Sequence, residues 1–187
     1  MKGIDMNGMI EIQLNGRRVT VIGGPYRDKP EGIKGVKLAQ EIDAPYEIKL
    51  DIADFSIPDG GDTFVATLKA LDVLERDGVI YVGCMGGIGR TGMFIALLVK
   101  AIGYYNLNRE YAGVRGWWNR LLKYFGFSTE VDLCKYMINE PVAYVREHYL
   151  SYAVETKLQE RFVDEFEWIN FKIERFPELE RWDSGIN

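Results

Sequence analysis

Cysteine and histidine are scarce in this 187-residue chain: two Cys, Cys84 and Cys134, and one His, His148. Two cysteines in a chain of this length cannot build a disulfide framework, and the start Met1-Lys2-Gly3-Ile4-Asp5 lacks the apolar run of a signal peptide. A reducing, cytoplasmic setting is expected. Proline is sparse, with 6 residues against 20 Gly, which excludes a proline-rich or collagen-like chain. Long apolar runs are missing too: the stretch 92–105 is interrupted by Lys100 and is too short to cross a bilayer, so it reads as a buried helix. An excess of basic residues is also absent, since 23 Lys and Arg face 28 Asp and Glu, a net charge of −5. That balance disfavours non-specific binding to nucleic acid or to an anionic membrane. Repeats and low-complexity tracts are lacking, and the reading is one domain over 1–187.

What is present alternates between strand and helix signals. Ile10, Ile12 and Leu14 alternate with polar residues, Asn15-Gly16 supplies a turn, and Val19 and Val21 resume the alternation, which predicts a β-hairpin. A Gly- and Pro-containing loop spans 23–35, and 36–42 is ambiguous between helix and strand. Tyr46, Ile48, Leu50 and Ile52 alternate again, ending in the turn-rich run Ser56-Ile57-Pro58-Asp59-Gly60-Gly61. Helical spacing of Phe64, Val65, Leu68, Leu71 and Leu74 predicts a helix over 62–77, with Asp62 as N-cap and Gly78 as stop. Val79-Ile80-Tyr81-Val82 reads as a central buried strand, because a run without alternation is expected where both faces are covered. Further helices are expected over 142–149 and 155–173, the latter on a stripe of Leu158, Phe162, Phe166, Ile169 and Ile173. The fold class expected is α/β, a central mostly parallel sheet flanked by helices.

The chemistry concentrates in Cys84-Met85-Gly86-Gly87-Ile88-Gly89-Arg90-Thr91, a Cys and an Arg separated by five residues between that strand and the buried helix. Successive backbone N–H groups in such a loop converge on an anion, and the positive end of the following helix adds to the field. A guanidinium at Arg90 can fork two phosphate oxygens. The same field favours the thiolate form of Cys84, the form that acts as a nucleophile.

This stretch resembles the signature loop of the cysteine-dependent protein tyrosine and dual-specificity phosphatases: Cys, five residues, Arg, then Ser or Thr. Ile57-Pro58-Asp59-Gly60-Gly61 resembles the general-acid loop of the smaller dual-specificity members, and the segment 153–163 resembles the one that carries the water-positioning glutamine. The resemblance covers roughly 46–166 and implies a protein tyrosine phosphatase-like fold. It implies that Cys84 attacks phosphorus to give a cysteinyl-phosphate. Asp59 would then protonate the leaving oxygen and later act as base, and Arg90 with the amides of Met85, Gly86, Gly87, Ile88, Gly89 and Arg90 would hold the phosphate. Thr91 would hydrogen-bond the departing thiolate, Gln159 would hold the attacking water, and neither metal nor cofactor would be needed. Where the family carries a His before the Cys, this chain has Gly83. Thiolate stabilisation would then fall to the loop amides, the helix dipole, Arg90 and Thr91. The substrates implied are phosphorylated proteins or peptides, phosphotyrosine first and phosphoserine or phosphothreonine second, and the loop would also take oxyanions such as phosphate, sulfate or vanadate. A catalytically weak or inactive phosphate-binding pseudophosphatase and an RNA 5′-phosphatase are the alternatives; the absence of Lys from the loop argues against a phosphoinositide substrate.

Several of these residues have plainer uses. Gly87-Ile88-Gly89-Arg90-Thr91-Gly92 also fits a dinucleotide fingerprint, but no second buried strand ending in an acid follows, and a nucleotide P-loop would need Lys. Asp59 is a natural turn former, with Asp54 and Asp62 as rival acids. Thr156 and Gln159 fit a capping box, and Cys134 reads as a buried thiol. An aromatic, basic insert lies within 103–140; its core, 103–128, carries Arg109, Arg115, Arg120 and Lys123 against Glu110, a net +3. It reads either as a helical pair packed on the core or as a wall of the substrate cleft or docking face for an acidic partner. The residues 164–187 read as a C-terminal helical extension.

Overall fold

The computed structural model describes residues 8–112 and 130–168. The hairpin forms as the alternation requires: β1 (Met9–Leu14) pairs antiparallel with β2 (Arg17–Pro25), closed by Asn15 at φ 57° and Gly16 at φ 73°. Both turn residues lie in the left-handed region, which matches the twist of a two-residue hairpin. The ambiguous stretch 36–42 resolves into a strand, β3 (Gly35–Ala39), buried at every position, followed by a turn that carries Glu41. β4 (Ile48–Ile52) keeps the expected alternation but begins after Tyr46, which is exposed.

α1 (Gly60–Asp77) corrects the N-cap. Asp59, not Asp62, caps the helix, accepting hydrogen bonds from the amides of Gly61 and Asp62, while Asp62 sits in the first turn. The Pro58-Asp59 pair explains the shift: Pro58 cannot join a helix interior, and the first carboxylate past it reaches the free amides. Gly78 ends the helix at φ 75° as expected.

β5 (Val79–Cys84) follows at once and is the middle strand of a five-stranded sheet ordered β1-β2-β5-β3-β4. It pairs parallel with both β2 and β3, and β3 pairs parallel with β4, so only the β1 edge is antiparallel. The architecture is therefore a mixed, mostly parallel sheet flanked by helices.

α2 (Gly89–Ala112) starts just beyond β5 and is the core of the molecule. Met93, Phe94, Ile95, Ala96, Leu97, Leu98 and Val99 are all fully buried. A helix apolar on every side needs covering on every side. α2 meets this by packing on β5 and β2 and against α1, α3 (Glu130–Asn139), α4 (Pro141–His148) and α5 (Lys157–Glu165). Lys100, the charge that interrupts the run, is itself buried, and its Nζ donates to the carbonyls of Val163 and Asp164 at 2.9 and 2.8 Å, capping the end of α5. Asn106 donates to the Gln13 carbonyl and accepts from the Asn15 amide, pinning the hairpin turn to the same helix.

The last helix is shorter than the apolar stripe suggested. It runs 157–165, Phe166 turns to extended backbone, and Leu158 faces solvent at 50% exposure. Phe166 and Trp168 still reach the core, where Trp168 meets Phe166 edge-on and Phe64 at a tilt. Ile169, Ile173 and the rest of the proposed extension lie outside the described residues. So do Arg115, Arg120, Lys123 and the middle of the basic insert, whose first part is the continuation of α2. Cys134 is buried in α3, and His148 stacks on Tyr144 at 4.2 Å between ring centres. Among the described residues, no helix is long and apolar enough to cross a membrane.

Candidate active site

The loop between β5 and α2 lies at the carboxyl end of the central parallel strand, where strand ends and a helix N-terminus face the same side. Cys84 is the last residue of β5 and is 3% exposed. Its Sγ accepts the Gly87 N–H at 3.2 Å, and its own N–H donates to Thr91 Oγ1 at 2.9 Å. Gly87 takes φ 76°, which turns its amide toward the sulfur, and a Cβ there would lie 2.5–2.7 Å from the Gly24 and Pro25 backbone. Met85 and Gly86 are exposed at the loop tip, Gly87 and Gly89 are buried, and Ile88 is half-buried.

Arg90 is 3% exposed and heavily partnered. Nη1 donates to Glu41 Oε2 at 3.0 Å and to the Ile52 carbonyl at 2.9 Å; Nη2 meets Glu41 Oε1 at 2.7 Å and Asp54 Oδ1 at 3.1 Å. The Glu41 pair is a fork-to-fork contact, which fixes the guanidinium plane as well as its position. The Arg90 hydrogen bonds hold the Glu41 carboxyl below the usual carboxylate range, against a smaller effect of burial. For Arg90, burial opposes the charge, but Glu41, Cys84 and Asp54 together outweigh it and push the group upward.

Glu41 is presented by the turn after β3, and that turn is clamped from below. Lys37, 4% exposed, donates through Nζ to the carbonyls of Ala39 and Ile42 at 3.2 and 2.8 Å. Glu41 and Lys37 escaped the sequence reading because they fall in the ambiguous stretch 36–42. A signal was available: a buried Arg demands a charged partner, and an acid just past an apolar strand next to β5 is where a parallel sheet delivers one, here a carboxylate with a 37% exposed side chain.

The two candidate acids part company. Asp59 directs Oδ1 to the Gly61 and Asp62 amides at 2.8 and 3.1 Å, inside the first turn of α1. Asp54 lies against Arg90, with its side chain 60% exposed. The next residue, Phe55, has φ 55° and is 59% exposed. A bulky side chain in the left-handed region is strained, and such strain gathers where the surroundings enforce a special loop shape.

Gln159 is 1% exposed and completes the capping box with Thr156. Its Oε1 accepts from the Glu155 and Thr156 amides at 3.1 and 3.4 Å, while Nε2 donates to the Ser56 carbonyl at 3.3 Å, tying α5 to the loop that carries Asp54. Arg146 supports the approach to α5 by donating to the carbonyls of Ala153 and Val154, both at 3.0 Å. The structure thus sets Thr91 Oγ1 and the Gly87 amide against Cys84, holds the Arg90 guanidinium within electrostatic reach of that thiol, brings Asp54 to Arg90, and uses both Asp59 and Gln159 as helix caps.

Gly83 has a steric reason. A Cβ at this position would stand 2.8 Å from Tyr26 Cα and 2.9 Å from both the Gly24 carbonyl oxygen and the Tyr26 nitrogen. These are backbone atoms that cannot swing aside, so no histidine fits at 83 without moving β2.

No family model matches the chain, and no curated protein matches it. Among solved structures, the chain is similar to Tk-PTP in a glycine-to-alanine mutant form, at 19% identity over 84% of this chain and 93% of that one, with a TM-score of 0.49. It is similar to the active form of Tk-PTP at 19% identity over 81% and 92%, with a TM-score of 0.44. A third is kinase associated phosphatase with its catalytic-site cysteine replaced by serine, at 14% identity over 84% and 93%, with a TM-score of 0.46.

Proposed function

We propose that this chain is a cysteine-dependent phosphomonoesterase that hydrolyses phosphotyrosine, and phosphoserine or phosphothreonine second, in phosphorylated proteins or peptides. The observation that carries the reading is the cradle: a buried thiol under a loop amide, at the start of a helix, next to a buried arginine clamped by a carboxylate. Core packing calls for none of these charges, since burying a charge is costly until it is paired.

The reaction runs in two displacements. Cys84 Sγ attacks phosphorus in line, the S–P bond forms as the P–O bond to the leaving group breaks, and a carboxyl proton passes to the leaving oxygen. Water then attacks the cysteinyl-phosphate, the same carboxylate takes its proton, and the S–P bond breaks to release phosphate and thiolate. Arg90 and the amides of the 85–90 loop hold the equatorial oxygens through both steps. Thr91 fixes the Cys84 amide, and its hydroxyl proton remains free to stabilise the departing thiolate. For the proton carrier we assign Asp54 in place of Asp59. A phosphate seated on Arg90 competes for the Nη2 edge that Asp54 occupies and releases that carboxyl beside the leaving group, whereas Asp59 is committed to the α1 amides. Gln159 is one side-chain turn from the same loop and is the candidate for orienting water.

The pseudophosphatase alternative arose from the missing histidine, and the steric account of Gly83 supplies another reason for that absence. Turnover of p-nitrophenyl phosphate without added metal decides between them. The unmodified chain is expected to turn over, Cys84→Ser to lose all activity, and Arg90→Lys most of it, because an ammonium cannot fork two oxygens. Full activity in Cys84→Ser would remove the mechanism, and oxyanion binding without turnover would favour the binding module.

A further inference from the structure

With Gly83 unable to carry a side chain, something else must hold the loop in the shape that points an amide at the sulfur. Two buried phenols hydrogen-bond the backbone around it. Tyr149, at the end of α4 and 6% exposed, donates its hydroxyl to the Gly87 carbonyl at 2.6 Å. Gly87 in turn gives its N–H to Cys84 Sγ. Tyr81, on β5 and 3% exposed, donates to the Pro25 carbonyl at 2.7 Å, and Pro25 is the residue paired with Cys84 across the β2–β5 ladder.

The end of β2 is trimmed to admit both rings. A Cβ on Gly23 would stand 2.6 Å from the Tyr149 ring and hydroxyl, and a Cβ on Gly24 would stand 2.5 Å from the Tyr81 hydroxyl. Gly87 rests directly on Gly24 and Pro25. Around the loop and its wall, Gly23, Gly24, Gly83 and Gly87 make room and the two hydroxyls supply the hydrogen bonds.

We infer that Tyr149 is a positioning residue of the phosphate loop: its hydroxyl fixes the Gly87 carbonyl and so aims the Gly87 N–H at Cys84, while Tyr81 fixes the wall on which the loop rests. Both phenols stay protonated across any working pH. Burial first, then the neighbouring charges of Asp28 and Cys84, push Tyr81 up to about 12, and burial with Cys84, Tyr81 and Tyr152 carries Tyr149 higher still. They act as fixed donors and not as bases. The inference rests on the phosphatase reading and adds to it a residue outside the loop motif.

The test compares the wild-type chain, Tyr149→Phe, Tyr81→Phe and the exposed control Tyr152→Phe, with p-nitrophenyl phosphate as substrate and orthovanadate as the oxyanion probe, well below the melting point of each. Tyr149→Phe keeps the ring and loses one oxygen. Its kcat and its vanadate affinity are each expected to fall on the order of tenfold, the scale of a buried carbonyl left without its donor. Tyr81→Phe is expected to move both in the same direction by less, and Tyr152→Phe to move neither. Unchanged kcat and vanadate affinity in Tyr149→Phe, with or without a lower melting point, would overturn the inference and leave the phosphatase reading standing. A wild type that neither turns over nor binds vanadate would overturn both. Amide hydrogen exchange at Gly87 gives a second reading: faster exchange in Tyr149→Phe is expected, and an unchanged rate counts against the inference.

Discussion

Asp54 and Asp59 lie five positions apart and do different work, and the difference is set by what each carboxylate touches. Asp59 satisfies two amides at the N-terminus of α1, so Asp59→Ala is expected to destabilise the fold by about 1 kcal/mol, as the loss of an N-cap does, with little change in turnover. Asp54 reaches Arg90 from an exposed position. Asp54→Asn is expected to slow hydrolysis of substrates with poor leaving groups by roughly 10²- to 10⁴-fold and of activated aryl phosphates much less, since only poor leaving groups need the proton. Steady-state rates on an alkyl and a nitrophenyl phosphate check both. The reverse pattern would return the role to Asp59. At this scale the sequence was explicit about Cys84, Arg90 and Thr91, whose types and spacing carry their chemistry. It was ambiguous about the acid, because a turn-forming Asp after Pro looks the same whether it caps a helix or serves a substrate.

At the scale of elements, the hairpin, α1, β5 and the start of α2 were legible because period and turn chemistry agree in each. The stretch 36–42 was not, since a strand buried on both faces and a helical segment share a run of apolar residues, and length alone could not separate them. The end of α5 was misread because Phe166 continues the helical spacing while serving the core from extended backbone. The junction of β2, β5 and the loop belongs to this scale as well, because its close approach depends on two strands and a turn at once. Gly83→Ala is expected to destabilise by about 1–3 kcal/mol, the usual range for overpacking, since the added carbon would meet Tyr26 and Gly24 backbone at 2.8–2.9 Å. Gly83→His is expected to be worse and to lose oxyanion binding with it. Denaturant midpoints for Gly83→Ala beside a control such as Gly32→Ala, where a Cβ meets nothing within 4 Å but φ is 80°, separate crowding from backbone strain.

Across the whole molecule, a central parallel strand delivers Cys84 and a buried helix delivers Arg90, while the turns after β3 and β4 deliver the Arg90 partners Glu41 and Asp54. Arg90 therefore ties the β3–β4 side of the sheet to α2, and this tie makes stability depend on pH. The folded carboxyl of Glu41 lies below its unfolded value because Arg90 holds the ionised form. A depressed carboxyl contributes stability that is fully present above the unfolded value and is lost as pH falls through the folded one. The window is thus below the usual carboxylate range, and near neutrality the contribution is flat. Glu41→Gln removes the titrating group and leaves Arg90 with the exposed Asp54 as its one carboxylate partner among the described residues, so it is expected to melt below the wild type at pH 7. Thermal midpoints of the two chains should converge as the pH is lowered through that window, because the wild type loses what the variant never had. A gap that stays constant from neutral to acid pH would mean that Glu41 contributes shape and not charge to the hold on Arg90.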